Sequence, residues 1–183
     1  MPVLPNRRYP EWAPAGTALA GPLPEEQEAR REAVTSRLLE LARVALAVLD
    51  IEAARDCILP HSRVEISPDD FAYDIDLCNS LKRGLLRLER LTDLPLSSAV
   101  WRLRPDNPGV ADLVLAGSAY TPPFSGWEKF PIPTPEAMQQ AFEGKPSAAW
   151  SDDGRFCSVF APLRDSLDDI VAVLELCASP SPA

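Results

Sequence analysis

The sequence predicts an α+β domain in which two long helices precede five strands, the strands form a mostly antiparallel sheet, and both helices pack on one of its faces. Three observations predict this. Residues Arg155 to Leu176 (RFCSVFAPLRDSLDDIVAVLEL) read as two apolar strands around an Asp-Ser-Leu-Asp-Asp turn. Ala99 to Arg104 and Ala111 to Ala116 flank Pro105-Asp106-Asn107-Pro108-Gly109, a strong turn signal, and so form a hairpin. Two stretches before residue 91 carry apolar residues at helical spacing.

Taken in order, Met1 to Pro24 holds six prolines and is expected to be a flexible tail, with Tyr9 and Trp12 its only large side chains. Glu25 to about Leu59 reads as one helix that Pro60 ends. Glu25, Glu26 and Glu28 complement the positive end of its dipole, and Ala29, Ala33, Leu38, Leu41, Ala45, Val48 and Leu49 recur at helical spacing. From Leu38 to Leu49 the apolar residues spread around much of the circumference. Such a helix is covered on more than one side, by the sheet and by a second copy of itself, so a homodimer through residues 25–59 is expected.

Ser67 opens a second helix as N-cap, with Pro68 at the first helical position and Asp69 and Asp70 in the first turn. Phe71, Ile75, Cys78, Leu81, Leu85 and Leu88 form its buried stripe. After the first hairpin comes a long connection, Gly117 to Pro133, holding Tyr120, Phe124, Trp127, Lys129 and Phe130. A connection of this length in a compact domain is often functional. Thr134 is expected to cap a short helix with Pro135 at its first position, ending at Gly144. Ser147 to Trp150 is a short strand, and residues 178–183 form a second flexible tail.

The totals bound the function. At 183 residues the chain suits one core-forming domain, here 25–177. A net charge of −9 argues against nucleic acid and against anionic membrane surfaces, which both need a basic face. No apolar segment is long enough to span a bilayer and no secretory signal is visible. The chain as given is therefore expected in the cytoplasm, or outside it if it is the sensing part of a longer receptor. The four cysteines form no CxxC pair, which removes spacing support for zinc. They are expected as small core residues of a reducing compartment. Cys157 and Cys177 are the pair to check, because a hairpin about Ser166-Leu167 sets them nearly opposite.

Several phrases, in their order, resemble the single Cache (PAS-like) sensor domains of bacterial receptors. Gly154 to Leu176 resembles the closing strands of that family, Pro133 to Gly154 its short helix ending in glycine before the third strand, and Leu81 to Arg104 its second helix running into the first strand. Glu25 to Leu59 resembles its long N-terminal helix, so the resemblance spans about residues 25–177. GAF domains are neighbours with a similar sheet and closing phrase. The resemblance implies a five-stranded PAS/Cache-like sheet, a small ligand held on the sheet face under the long connection, and a signalling partner that reads the bound state. Three features depart from the family pattern, the first being that Ala172 and Glu175 occupy positions that are usually small or glycine. The last turn is Ser166-Leu167-Asp168-Asp169 where glycine is usual, and Cys177 stands where the amino-acid-binding members end the last strand with an acid.

No catalytic signature is present: no GxSxG, P-loop, GxGxxG or HExxH, and a single histidine, His61. The acidic run Asp69, Asp70, Asp74 and Asp76 lacks the glycine and closing glutamate of a calcium loop. A non-enzymatic sensing domain without cofactor or metal is the expectation. Its ligand-binding candidates are Trp101 and Arg102 on the first strand, Tyr120, Trp127 and Lys129 in the connection, and Ser158 and Phe160 on the fourth strand. Aromatic walls with a few directed polar groups suit a small organic acid or amine. The alternative is a dimerisation or protein-interaction module whose sheet face is plugged by Tyr120, Trp127 and Phe130.

Overall fold

The computed structural model describes residues 25–58, 71–104, 107–117, 132–133, 135–150 and 156–178, with side chains throughout except at 71–77 and 132–133. Helix α1 (Glu25–Val48) leads to a short α2 (Arg55–Ile58) and then α3 (Phe71–Leu88). Strands β1 (Leu96–Arg104) and β2 (Asn107–Ala116) follow. Next come the two-residue β3 (Ile132–Pro133), helix α4 (Glu136–Phe142), β4 (Ser147–Trp150), β5 (Cys157–Arg164) and β6 (Ile170–Ala178). The sheet order is β3-β2-β1-β6-β5-β4, antiparallel at every pairing. The expected α+β layout, a long N-terminal helix and a second helix against one face of an antiparallel sheet, is what the structure shows. The five expected strands are all present. The sixth, β3, lies inside the stretch read as connection and pairs Pro133 with Val110 and Ile132 with Ala111.

Strand periodicity builds a core on each side of the sheet. On β5 and β6, Cys157, Val159, Ala161 and Leu163 join Ala172, Leu174, Leu176 and Ala178 on the helix side. There they meet Leu38, Leu41, Ala42 and Ala45 of α1 and Leu81, Leu85 and Leu88 of α3. Phe160 and Val173 point to the opposite side and join Trp101, Leu113, Ala111 and the Met138 face of α4. The successive residues face opposite ways because a strand has a side-chain period of two. A register shift between Val100 and Trp101 sets Leu115 opposite Val100 and Leu113 opposite Trp101. The shift leaves Val114 as an extra residue of β2, packed into the helix-side core.

Three local expectations are corrected. The single helix over 25–59 is broken. Asp50 Oδ1 accepts the backbone N–H of Ala53 at 2.9 Å, and Ile51–Ala54 turn before α2 resumes. A side chain that bonds its own backbone offers an alternative to the next helical turn. Pro135 is itself the N-cap of α4, with extended backbone (φ −60°, ψ 152°), rather than its first helical residue. The helix ends at Phe142 with Glu143 as its C-cap, and Gly144 follows with a φ of +93° that suits a residue without Cβ.

The cysteines supply the third correction. Cys57 of α2 and Cys78 of α3 are joined in a disulfide, Cα to Cα 5.3 Å, whereas Cys157 and Cys177 are buried free thiols. The bend at residues 50–54 turns α2 onto α3, a meeting that sequence spacing does not reveal. The pair to check fails on register. Cys157 lies opposite Ala178 and Cys177 opposite Ser158, so the two sulfurs occupy opposite faces. On α1, Leu38, Leu41 and Ala45 are buried within the chain, while Val44 and Val48 on one edge of that stripe and Leu46 on the other are exposed.

Candidate functional site

Among the described residues, the side of the sheet away from α1 and α3 carries a buried charged side chain in an apolar setting. Glu175 of β6 is 2% exposed. Its Oε1 accepts the hydroxyl of Ser158 at 2.8 Å and its Oε2 accepts the indole N–H of Trp101 at 2.8 Å. Register explains the arrangement. Glu175 is paired with Ala99 on β1 and Phe160 on β5, while Trp101 lies opposite Val173 and Ser158 opposite Cys177. Both donors are thus diagonal neighbours of the carboxylate on the same face, within reach of long side chains. Small Ala99 beside Glu175 leaves room for the indole. Hydrogen bonds to a charged group contribute about 1.5–3 kcal/mol each, so two such donors offset much of the cost of burying a carboxylate.

Apolar residues enclose the group. Phe160 and Val173 flank it on the sheet, and Met138, Ala137 and Ala141 of α4 belong to the same buried cluster. The position of α4 is fixed from below by Ser147 of β4, whose hydroxyl donates to the Ala137 carbonyl. The result is an oriented acceptor of two oxygens in an apolar wall. Chemically it suits recognition of a donor or a cation. Among the described residues no group of three or more His, Cys, Asp or Glu side chains is placed to hold a metal ion.

Of the residues singled out from sequence, Trp101, Ser158 and Phe160 come together on this face. Tyr120, Trp127 and Lys129 lie outside the described residues. Arg102 is placed on the opposite, helix-side face, because it follows Trp101 directly in the strand. There it is 6% exposed, its Nη1 donates to the Ile58 carbonyl at 2.9 Å, and its Nη2 stands 3.9 Å from Asp112 Oδ2. Burial lowers its pKa, Asp112 opposes that shift, and neighbouring Arg104 adds to it. Arg102 is therefore a cation of the core between α2 and the sheet.

Glu175 is the residue that sequence reasoning missed. The family pattern sets a small residue at position 175 and places its acid at the end of the strand, where this chain has Cys177. The available signal was the interruption itself: Glu175 is the one charged residue between Ile170 and Ala178.

The start of the 117–133 connection is tied to α3. Lys82 Nζ donates to the carbonyls of Ala116 and Gly117, the Gly117 N–H donates to Ser98 O at 2.7 Å, and Glu89 Oε1 accepts both the N–H and the hydroxyl of Ser98. A Cβ at Gly117 would collide with the Glu89 carboxylate and the Ser98 hydroxyl, so a larger residue there would have to displace the Glu89 side chain from its bonds to Ser98. Burial lowers the pKa of Lys82 and the Glu89 charge partly restores it.

No family model matches the chain, and no curated protein matches it. Among solved structures it is similar to the sensory domain of the Campylobacter jejuni chemoreceptor Tlp3 (CcmL) with isoleucine bound. That match has 12% identity and a TM-score of 0.36, and it covers 87% of this chain and 64% of that one. It is also similar to the A. aeolicus nlh2 GAF domain in an inactive state, at 8% identity and a TM-score of 0.31, over 75% of this chain and 83% of that one. Scores of this size do not establish a shared fold, and the isoleucine is a property of that receptor alone.

Proposed function

We propose that the chain is a non-enzymatic sensing domain of a bacterial signal-transduction protein, of the Cache/PAS-like kind. It takes a small organic ligand bearing a cationic amine on the sheet face beside α4. The observation that carries this reading is the buried carboxylate of Glu175, oriented by Ser158 and Trp101 in an apolar wall. An ammonium group gains a charge-assisted bond there, and an organic acid meets repulsion, so the amine is favoured over the acid. Trp101, Phe160 and Met138 supply the apolar enclosure. The Cys57–Cys78 disulfide supports an oxidising compartment outside the cytosol, where such bonds persist. No described helix is long and apolar enough to cross a membrane.

The test is a thermal-shift screen of amino acids, amines and carboxylic acids. A ligand that binds only the folded state at 100 times its Kd adds about 2.7 kcal/mol, or roughly 5–10 °C for a domain of this size. Amines are expected to raise the melting temperature and acids to leave it unchanged; a screen in which only acids act removes the reading.

The exposed Val44, Leu46 and Val48 on α1 favour a second element of function, pairing of α1 with a second copy of this chain. Sedimentation is expected to show a dimer that dissociates when Val44 and Val48 are changed to serine. A monomer at high concentration contradicts it.

A further inference from the structure

We propose that the Cys57–Cys78 disulfide is a redox-controlled latch. It holds α2 in place as the carbonyl partner of buried Arg102, and its reduction by a dithiol releases α2 and lets the arginine reach water. The covalent bond, the short helix and the buried cation are consecutive links. Cys57 is 2% exposed in the helix-side core, while Cys78 is half-buried, nearer solvent than Cys157. Helix α2 has only four residues, too few to hold helical structure alone. Its position rests on the disulfide, on the burial of Ala54 and Ile58, and on a longer ion pair of half-exposed Arg55 with Asp165 at 3.7 Å.

The next residue after Cys57 provides the link to the sheet. The Ile58 carbonyl accepts Arg102 Nη1 at 2.9 Å. Arg102 has little else: Asp112 lies 3.9 Å away, and the buried Arg102 Nε meets no hydrogen-bond partner. A buried cation that loses its one short hydrogen bond is left with an incompletely compensated charge, and moving to water becomes favourable. Both arrangements of Arg102 are thus chemically reasonable, and the state of one S–S bond selects between them.

The redox step balances. A dithiol reductant attacks one sulfur as thiolate, breaks the Cys57–Cys78 bond and forms a mixed disulfide. Its second thiol then displaces the remaining cysteine. Two electrons and two protons pass to Cys57 and Cys78, and the reductant leaves as a cyclic disulfide.

The experiment uses the whole chain with and without dithiothreitol. Iodoacetamide reports the thiols and phenylglyoxal reports arginine accessibility, each read by peptide mass spectrometry. Cys157 and Cys177 serve as internal markers of global unfolding, because both are buried, and exposed Arg37 is the reference arginine. After reduction, Cys57 and Cys78 are expected to alkylate while Cys157 and Cys177 stay protected. Modification of Arg102 relative to Arg37 is expected to rise by about tenfold or more, as a buried cation loses its partner. The double variant Cys57→Ser with Cys78→Ser should show the same Arg102 accessibility without reductant. Three results overturn the proposal: four free thiols before reduction, alkylation of all four cysteines together, or an Arg102 that stays protected once Cys57 and Cys78 are free.

Discussion

A glutamate inside an otherwise aliphatic strand needs a physical reason, and Glu175 has one in the two donors that converge on it. Ser158 and Trp101 sit on neighbouring strands to either side, so the carboxylate crosslinks β1, β6 and β5 through side chains as well as through the backbone ladder. Ser158→Ala removes one bond to a buried charge and is expected to cost about 1.5–3 kcal/mol in urea unfolding. Trp101→Phe is expected to cost at least as much, since it removes the indole N–H and part of the packed volume. A change below about 0.5 kcal/mol for Ser158→Ala would mean that the hydroxyl does not hold the carboxylate. Ser158 and Phe160 were legible in the sequence as one face of their own strand, whereas the sequence offered Trp101 and Arg102 alike and only the register of β1 against β6 puts Trp101 with them. Alternation also separates Arg102 from Trp101, and it sends the arginine to the core. Glu175 was not legible as a partner of Trp101, because the pairing of β1 with β6 depends on a register between residues more than seventy positions apart.

At the scale of elements, the strands followed closely from apolar runs and turn residues. Asp165 Oδ1 accepts the N–H groups of Leu167 and Asp169, which is the turn chemistry that the acidic cluster announced. The helix boundaries followed less well. Residues 25–58 have helical spacing throughout, but Asp50 bonds Ala53 and stops α1 at Val48. Only the competition between that local bond and the helical ladder decides the outcome, and periodicity is blind to it. Asp50→Ala removes the bond and is expected to destabilise the fold by about 1 kcal/mol, in line with the loss of a capping side chain. Chemical denaturation checks this. An unchanged midpoint would show that the bend is fixed instead by the packing of Ile51 and Ala54, both buried. The same bend brings Cys57 to Cys78, so the missed disulfide and the missed helix break have one cause.

For the whole molecule, the sheet divides the chain into two unlike sides. The helix side is a large apolar core crossed by one buried arginine and closed by a disulfide; the other side is a smaller cluster around one buried carboxylate. A fold that needed only stability would gain little from the second arrangement, because an apolar residue at position 175 avoids the desolvation of a charge altogether. An oriented carboxylate in that wall fits the proposed recognition of an amine. The most direct measurement is calorimetric titration of the amine that gives the largest thermal shift into the unmodified chain and into Glu175→Gln, a change that keeps shape and removes the charge. The account predicts measurable binding to the first and a loss of about tenfold or more in affinity in the second. Equal affinity in both, with Glu175→Gln folded as judged by its own unfolding transition, would contradict it.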